Sequence, residues 1–310
     1  MLQASYMEDS NMKKLFVFIR LVIFFTIMFV LIIALGKIFT PKWRNGTSSL
    51  IDGQDYTING YYELPKNSID VLFLGDSSIY KGVSPMEIYD KTGIASYNYS
   101  VSSARIYLLY YILQDAYKYQ KPSVIMIDPL TLFYTNKEEE PERRKSFDYM
   151  KFGKTKYKMI NDDFFEFDFK EKLSYYFPLF RYHSRWNEVN LSNVKRTFGN
   201  YHSITKGYIM STKLNPRNSG FSYMEPSGKK VIMEDYTKKY LELFIKFCKD
   251  NDIDLVFLGI PDTRAWGYEQ NEELKKIIKE YDLKYLDLNN DSYGLDFTTD
   301  TEDRGMHFNV

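Results

Sequence analysis

Residue types that together carry out nucleophilic catalysis occur in two short stretches far apart in the chain. The first is GDS, residues 75–77, which directly follows the apolar run VLFL. The second is DRGMH near the C-terminus, with Asp303 four residues before His307 and a glycine between them. A serine hydroxyl becomes a nucleophile when a histidine accepts its proton and a carboxylate orients that histidine. The pattern predicts Ser77 as the nucleophile, His307 as the base and Asp303 as the orienting residue.

Neither stretch is specific by itself. Asp and Ser are common helix caps, so the tripeptide alone is also explained by a capped helix, and we expect Ser78 to cap that helix. The DRGMH stretch alone is also explained by an exposed polar tail. A phosphate grip by residues 75–78 is a weaker alternative, because the stretch lacks the lysine of a P-loop and the spaced glycines of a dinucleotide motif. The elements that position these residues therefore matter.

Five short apolar runs predict buried strands, with helical patterns between them. The runs are residues 70–74, 94–97, 123–127, 255–259 and 285–288. Alternating strands and helices predict an α/β fold with a five-stranded, mostly parallel sheet and helices on both faces. Ligands bind at the carboxyl ends of the strands in such sheets. Ser77 follows the first strand and His307 follows the fifth, so we expect both at that edge.

The N-terminus predicts a membrane-spanning helix. Residues 15–36 are almost entirely apolar and long enough to cross about 30 Å of hydrocarbon. The apolar core is longer than that of a cleavable signal peptide, so we expect an uncleaved signal anchor. Residues 1–14 are then a cytoplasmic tail, residues 37–68 a linker, and residues 69–310 an extracytoplasmic domain. Basic residues flank the helix on both sides, so this orientation depends on the short tail and not on charge bias.

A segment of about a hundred residues, 134–229, interrupts the alternation after the third strand. It combines charge runs such as KEEEPERRK with many aromatic residues. We expect a structured insertion that covers the sheet edge, either as a lid or substrate groove or as a packing subdomain. His183, with Arg185 and Trp186 close by, is predicted either to contact an anionic or sugar substrate or to be a packed structural histidine.

Composition excludes several classes of function. Lysine plus arginine equals aspartate plus glutamate at 41 each, so no net charge attracts nucleic acid. Cys248, the one cysteine, excludes an intramolecular disulfide and supplies no metal-ligand cluster. We expect it to be a buried apolar residue. The sequence predicts no nucleic-acid partner, no metal and no cofactor.

The two catalytic stretches resemble the SGNH/GDSL hydrolase superfamily, in its membrane-anchored DltD-like branch. The resemblance covers about residues 71–310. SYNYSVSSAR, residues 96–105, is similar to the block whose backbone N–H helps to form the oxyanion hole, with Ser103 in place of a glycine. Serine keeps the N–H but restricts the backbone angles. YFPLFRYHSRW, residues 176–186, is similar to a segment of membrane-bound members. The resemblance implies a three-layer α/β/α sandwich, the flavodoxin-like SGNH hydrolase fold, and an oxyanion hole formed by the N–H groups of Ser77 and Ser103.

Two features depart from the family pattern. The Gly-x-Asn-Asp block is absent after the third strand, where residues 126–133 read MIDPLTLF. Another donor must complete the oxyanion hole, and Asn98, Thr131 or a residue of the insertion are the candidates. Family members continue through Gly-Ala-x-Lys into a final helix, whereas this chain stops three residues after His307. We therefore expect a truncated chain whose terminus frays.

The resemblance implies a membrane-anchored serine esterase or O-acyltransferase outside the cytoplasmic membrane of a bacterium. The implied substrate is an acyl ester, such as an acetyl or D-alanyl ester, on a cell-envelope polysaccharide or another acylated polymer. Implied partners are the bilayer, through residues 15–36, and a membrane-bound O-acyltransferase. The predicted substrate contacts are Asp76, His183, Arg185 and Trp186. The alternative is a catalytically inactive module of the same fold that binds or scaffolds in the envelope.

Overall fold

The structure is a computed structural model that describes residues 2–43, 53–137, 139–199 and 203–309. The chain divides into two compact units. The helix unit comprises Met1–Pro41 and Ile160–Asn200, and the sheet unit comprises Lys42–Met159 and Tyr201–Val310.

The sheet unit is built on five strands in the order β2-β1-β3-β4-β5, with all neighbours parallel. The strands are β1 (Val71–Leu74), β2 (Ser96–Asn98), β3 (Val124–Ile127), β4 (Asp254–Gly259) and β5 (Lys284–Asp287). The prediction of a five-stranded parallel α/β sheet is confirmed, and each strand lies within two residues of its predicted bounds. The strand order reverses between β1 and β3, which is where open α/β sheets bind their ligands.

The part of the chain that the structure describes contains twelve α-helices. In chain order they are α1 (Leu2–Phe39), α2 (Gln54–Tyr62), α3 (Ser77–Gly82), α4 (Pro85–Thr92), α5 (Ile106–Ala116), α6 (Glu140–Phe147), α7 (Lys154–Ile160), α8 (Phe169–Tyr176), α9 (Leu179–Tyr182), α10 (Leu191–Phe198), α11 (Asp235–Asp250) and α12 (Tyr268–Tyr281). The helices α5 and α11 pack against each other. Buried residues recur every three or four positions in α11 and include Tyr240, Phe244 and Cys248, as an amphipathic helix requires.

The folded region begins earlier than the sequence suggested. Residues 54–62, inside the predicted linker 37–68, form α2. Tyr61 of this helix is fully buried, and the Tyr62 hydroxyl donates to Asp115 Oδ2 at 2.6 Å. The linker prediction is therefore wrong for α2, whose buried side chains include Ile58, Tyr61 and Tyr62. Positions 44–52 of that linker lie outside the described residues.

The helix unit contains α1 together with α8, α9 and α10. Its stretch Met12–Phe39 is long and apolar enough to cross a membrane, and it contains the predicted span of residues 15–36. The helix also continues through most of the predicted tail, since α1 starts at Leu2. Residues 160–200 of the predicted insertion belong to this unit, whereas the rest of the insertion belongs to the sheet unit. The insertion is thus divided between the two units and does not form one subdomain.

Candidate active site

The loops after β1, β2 and β3 meet at the carboxyl edge of the sheet, where backbone hydrogen bonds join the latter two to the end of β1. Gly75 lies at the centre of this junction. A Cβ at this position would lie 2.5 Å from Ile79 Cγ1 and 2.7 Å from Asp128 Cβ. Only glycine fits between these groups without displacing them, so close packing fixes the turn that carries Ser77.

Ser77 is half-buried and is the first residue of α3. Asp76 caps this helix, because its Oδ1 accepts the Ser78 N–H at 2.8 Å. Its Oδ2 accepts the hydroxyl of Tyr134 at 2.5 Å. Both oxygens of this buried carboxylate accept hydrogen bonds within the protein, and contact between Asp76 and a substrate stays a prediction. The prediction that Ser78 caps the helix is wrong. Ser78 is buried, and its hydroxyl has no hydrogen-bond partner among the described residues.

Asp303 and His307 lie in a hairpin whose two sides are joined by a bridge between Thr301 and Phe308. Asp303 Oδ1 accepts the backbone N–H of His307 at 2.7 Å, and Oδ2 lies 2.6 Å from His307 Nδ1. Gly305 makes the turn with a φ of 89°, a left-handed conformation that favours glycine. The structure thus brings the predicted aspartate and histidine together across a four-residue turn.

The C-terminal hairpin is packed and hydrogen-bonded within the sheet unit. Phe308 packs into an apolar cluster that includes Ile79 of α3. The Arg304 N–H donates to Asn215 O at 2.9 Å, and Thr301 Oγ1 donates to the same carbonyl at 2.8 Å. Asn215, a residue of the predicted insertion, therefore binds the hairpin from outside, and fraying of the terminus stays a prediction.

The ionisation of Asp303 decides the tautomer of His307. Burial alone would raise the pKa of Asp303, but the hydrogen bonds and charge of His307 and the charge of Arg264 leave it below its usual value. An ionised carboxylate only accepts, so Nδ1 carries the proton of the neutral imidazole and Nε2 is the acceptor. This is the tautomer that a general base needs.

The hairpin also contacts the helix that begins with Ser77. Lys81 lies one turn after Ser77 on the same face of α3 and forms an ion pair with Glu302 at 3.2 Å. Glu302 Oε1 is in turn 3.8 Å from His307 Nδ1. His307 Nε2 is buried and has no hydrogen-bond partner among the described residues. His307 therefore has a free acceptor in a hairpin that contacts α3, but no hydrogen bond joins it to Ser77 Oγ.

The predicted oxyanion donors have different environments. Ser103 has a left-handed φ of 55°, the conformation that glycine adopts most readily, and its carbonyl accepts from Arg105 Nη1. Asn98 is fully buried, and its Nδ2 donates to Val83 O at 2.8 Å and to Ile79 O at 3.4 Å. The prediction of Asn98 as an oxyanion donor is wrong, because its amide hydrogens bind carbonyls of α3 and its C-cap.

Asp128, which the sequence predictions did not include, forms a buried carboxyl pair with Asp76 next to Ser77. Burial raises the pKa of Asp128 well above its usual value, and the charge of Asp76 and a hydrogen bond to it raise it further. Asp128 Oδ1 accepts the N–H of Leu130 at 2.9 Å. Its Oδ2 has no hydrogen-bond partner among the described residues. Because ionised carboxylates only accept hydrogen bonds, Asp128 and Asp76 can bond each other only when one of them holds a proton. The Thr131 hydroxyl donates to Asp128 O at 2.7 Å, which contradicts its candidacy as an oxyanion donor.

Further residues of the edge also escaped the sequence predictions. The Arg105 guanidinium lies 4.0 Å from the ring centroid of Tyr134, whose hydroxyl bonds Asp76. Asp262 follows β4, and its Oδ1 accepts the N–H groups of Arg264 and Ala265, each at 2.9 Å. Burial and the charge of Asp76 raise the pKa of Asp262, although those N–H groups and His307 oppose the rise. The available signal was an acidic residue within three positions of the end of a buried strand, which describes both Asp128 and Asp262.

The remaining predicted contacts, His183, Arg185 and Trp186, belong to the helix unit. His183 is exposed, and its Nδ1 lies 3.1 Å from Phe180 O. Arg185 Nε donates to Glu188 at 2.7 Å. A role for these residues in substrate binding stays a prediction.

A metal ion is a second chemical possibility for the hairpin. Glu302, Asp303 and His307 place possible ligand atoms within 4.8 Å of one another. Lys81 already balances Glu302, and the Nδ1–H of His307 already binds Asp303. Both carboxylates of the cluster are therefore already paired with protein groups without a metal ion.

Comparisons of the chain with family models, with curated proteins and with solved structures found no match. The class of the protein therefore follows from its own geometry. It is a parallel α/β domain with a serine, a histidine–carboxylate pair and a buried acid pair at the carboxyl edge of its sheet. This set of groups fits covalent catalysis by a serine better than the binding of a phosphate.

Proposed function

We propose that the protein is a membrane-anchored serine esterase or O-acyltransferase of the SGNH/GDSL type. The observation that carries the proposal is the state of His307, which lies in the hairpin that contacts α3. Its Nδ1 is bonded to Asp303, while its Nε2 is buried and has no partner among the described residues. The strand order 2-1-3-4-5 and the left-handed Ser103 after β2 support the finer assignment to the three-layer, flavodoxin-like SGNH fold.

The reaction begins when Ser77 Oγ attacks the acyl carbonyl and Nε2 of His307 takes the serine proton. Asp303 orients the resulting imidazolium and stabilises its charge. The backbone N–H groups of Ser77 and Ser103 bind the oxyanion, and His307 then gives the proton to the leaving alcohol. Water or a sugar hydroxyl next attacks the acyl-enzyme, with His307 again as the base. An esterase and a transferase differ only in this second acceptor.

The proposed location and substrate follow from the anchor and from the resemblance. The apolar helix α1 would hold the sheet unit on the outer side of a bacterial cytoplasmic membrane. The substrate would be an acyl ester, acetyl or D-alanyl, on a cell-envelope polysaccharide or a similar polymer. A membrane-bound O-acyltransferase would be the partner that supplies or receives the acyl group.

A fluorophosphonate probe tests the nucleophile in the full-length chain, purified in detergent. We expect covalent labelling of the wild type, no labelling of Ser77→Ala, and labelling of the matched control Ser78→Ala. The control replaces a buried neighbouring hydroxyl that has no partner among the described residues. Labelling that survives Ser77→Ala would contradict the assignment.

A catalytically inactive envelope module is the second candidate. It is favoured by the missing hydrogen bond between Ser77 and His307 and by the engagement of Asn98 and Thr131 with carbonyls. Two results together would support this module over the enzyme. The probe would fail to label the folded wild type, and the Ser77→Ala variant would bind envelope polysaccharide as well as the wild type does.

A further inference from the structure

The helix unit contains a segment, residues 177–198, that packs along the last turns of α1. The rings of Phe29 and Phe177 meet edge to face, with their centroids 6.1 Å apart. Closer to the end of α1, a Cβ on Gly36 would lie 3.3 Å from Leu179 N. The backbone of α9 is therefore in direct contact with the backbone of α1.

Polar contacts hold the rest of the segment at the end of α1. Arg185 Nη1 donates to Phe39 O at 2.5 Å. The Thr197 hydroxyl donates to Asn193 O at 2.8 Å and lies 3.4 Å from Lys37 O. Carbonyls in the last turn of a helix have no partner within the helix, so Arg185 satisfies a group that would otherwise need water. The segment thus follows α1 from its end down to Phe29.

The positions of these contacts along α1 give the depth of the segment in a bilayer. Lys37 is the first charged residue after Arg20, so in a spanning helix it marks the headgroup level at this end. Phe29 lies eight residues earlier in the sequence, which places it about 12 Å below Lys37. The headgroup region is only roughly 5–8 Å thick on each side. The contact between Phe29 and Phe177 therefore lies inside the hydrocarbon.

The outward surface of the segment suits this depth. Its large exposed apolar side chains are Phe180 (51 %), Trp186 (74 %), Leu191 (67 %) and Phe198 (62 %). The basic residues Arg181 and Lys195 are exposed among them. Tryptophan and basic residues mixed with apolar ones are typical of helices that lie in the membrane interface.

We propose that residues 177–198 are a second membrane contact, which lies in the interface against the end of α1 with its exposed aromatic and leucine side chains in lipid. The segment packs against the last turns of α1, where Leu31 and Leu35 are themselves exposed, which is why we assign its exposed surface to the bilayer and not to a protein partner. The inference rests on the membrane anchoring in the proposed function and is independent of the chemistry at Ser77.

Depth-dependent fluorescence quenching in liposomes tests the proposal on the full-length chain. Single cysteines replace Trp186, Leu191, Phe24 or Phe152 and carry a maleimide-linked NBD dye. Phe24 lies within the apolar span, and Phe152 of the sheet unit is 72 % exposed, so these two positions are the lipid and water references. Burial raises the pKa of the native Cys248 thiol to about 12, so the unsubstituted chain should take up no dye at neutral pH.

Phospholipids brominated near the headgroups should quench the dyes at 186 and 191 at least threefold more than the dye at 152. Lipids brominated near the chain ends should quench position 24 most. Equal quenching at 186, 191 and 152, with position 24 quenched, would overturn the membrane contact and leave the anchor intact. A blue-shifted but unquenched dye at 186 would also overturn it, because a protein partner would then cover the surface. An unquenched dye at position 24 would instead refute the anchoring.

Discussion

Asp303 binds His307 twice, through the ring Nδ1 at 2.6 Å and through the backbone N–H at 2.7 Å. One carboxylate therefore fixes both the orientation of the ring and the turn that presents it. The side chain of His307 is only 12 % exposed, so water does not compete freely for Nε2. The two bonds favour one orientation of the His307 ring, which is what a base positioned by a carboxylate requires.

Asp303→Asn should lower the rate of fluorophosphonate labelling by roughly 10³-fold or more, in line with the loss of an orienting aspartate in a catalytic triad. The amide can donate to Nδ1, and this favours the tautomer in which Nε2 carries the proton and cannot accept one. Labelling rates at neutral pH measure the effect. Glu302→Gln is the matched control, because it leaves the Asp303 bonds in place, and we expect it to change the rate less than tenfold. Equal losses in the two variants would argue against an orienting role for Asp303.

Gly75→Ala should destabilise the protein by about 1–3 kcal/mol, because the new methyl group overpacks a filled site. It would meet Ile79 at 2.5 Å and Asp128 at 2.7 Å, and the shift should also displace Ser77 and reduce labelling. Denaturant unfolding of the two proteins in detergent measures the difference. Gly153→Ala is the control, since a Cβ there would meet nothing within 4 Å. A Gly75→Ala variant as stable as this control would show that the turn has room for a side chain.

The sheet could be predicted from the sequence because each buried run ends abruptly in turn-forming residues. The site could be predicted only in part. Asn98 is the last residue of β2, at the correct edge of the sheet, and its amide looks like a free donor in the sequence. Asn98 pairs with Phe73 in the sheet, and from this position its amide donates to carbonyls near the end of α3. Such a choice depends on packing between elements, which a single sequence does not specify.

Other features escaped prediction because their partners are distant in the chain. Tyr134 belongs to the insertion, yet its hydroxyl bonds Asp76, 58 residues earlier. The pairing of residues 177–198 with α1 joins segments more than a hundred residues apart. Asp128 could have been found, because it follows a buried strand at the same edge as Asp76.

Asp128→Asn should stabilise the protein at pH 7–8, and the gain should shrink as the pH falls toward 4. Burial and Asp76 raise the pKa of Asp128 in the folded state above the unfolded value of about 3.9. The native wild type then binds more protons than the unfolded chain, so its stability falls as the pH rises between those two pKa values. Asparagine is neutral at every pH and keeps both a donor and an acceptor. Melting temperatures from pH 4 to 8 measure the trend.

Asp291→Asn, a change at an exposed aspartate, is the control for this prediction. The difference in melting temperature between Asp291→Asn and the wild type should not grow as the pH rises from 4 to 8. If the difference in melting temperature between Asp128→Asn and the wild type stays constant from pH 4 to 8, Asp128 is ionised in the folded protein over that range. That result would contradict the raised pKa expected from its position beside Asp76.

The ion pair between Lys81 and Glu302 should couple α3 to the hairpin. Both side chains are only about one-tenth exposed, so a double-mutant cycle of Lys81→Met and Glu302→Gln should give a coupling free energy of about 1 kcal/mol or more. The exposed pair Lys91–Glu87 is the control and should give about 0–0.5 kcal/mol. Lys81→Met should also slow labelling at Ser77, because an unpaired Glu302 would displace the hairpin that carries His307. Similar coupling in both pairs would argue that this contact does not position the hairpin.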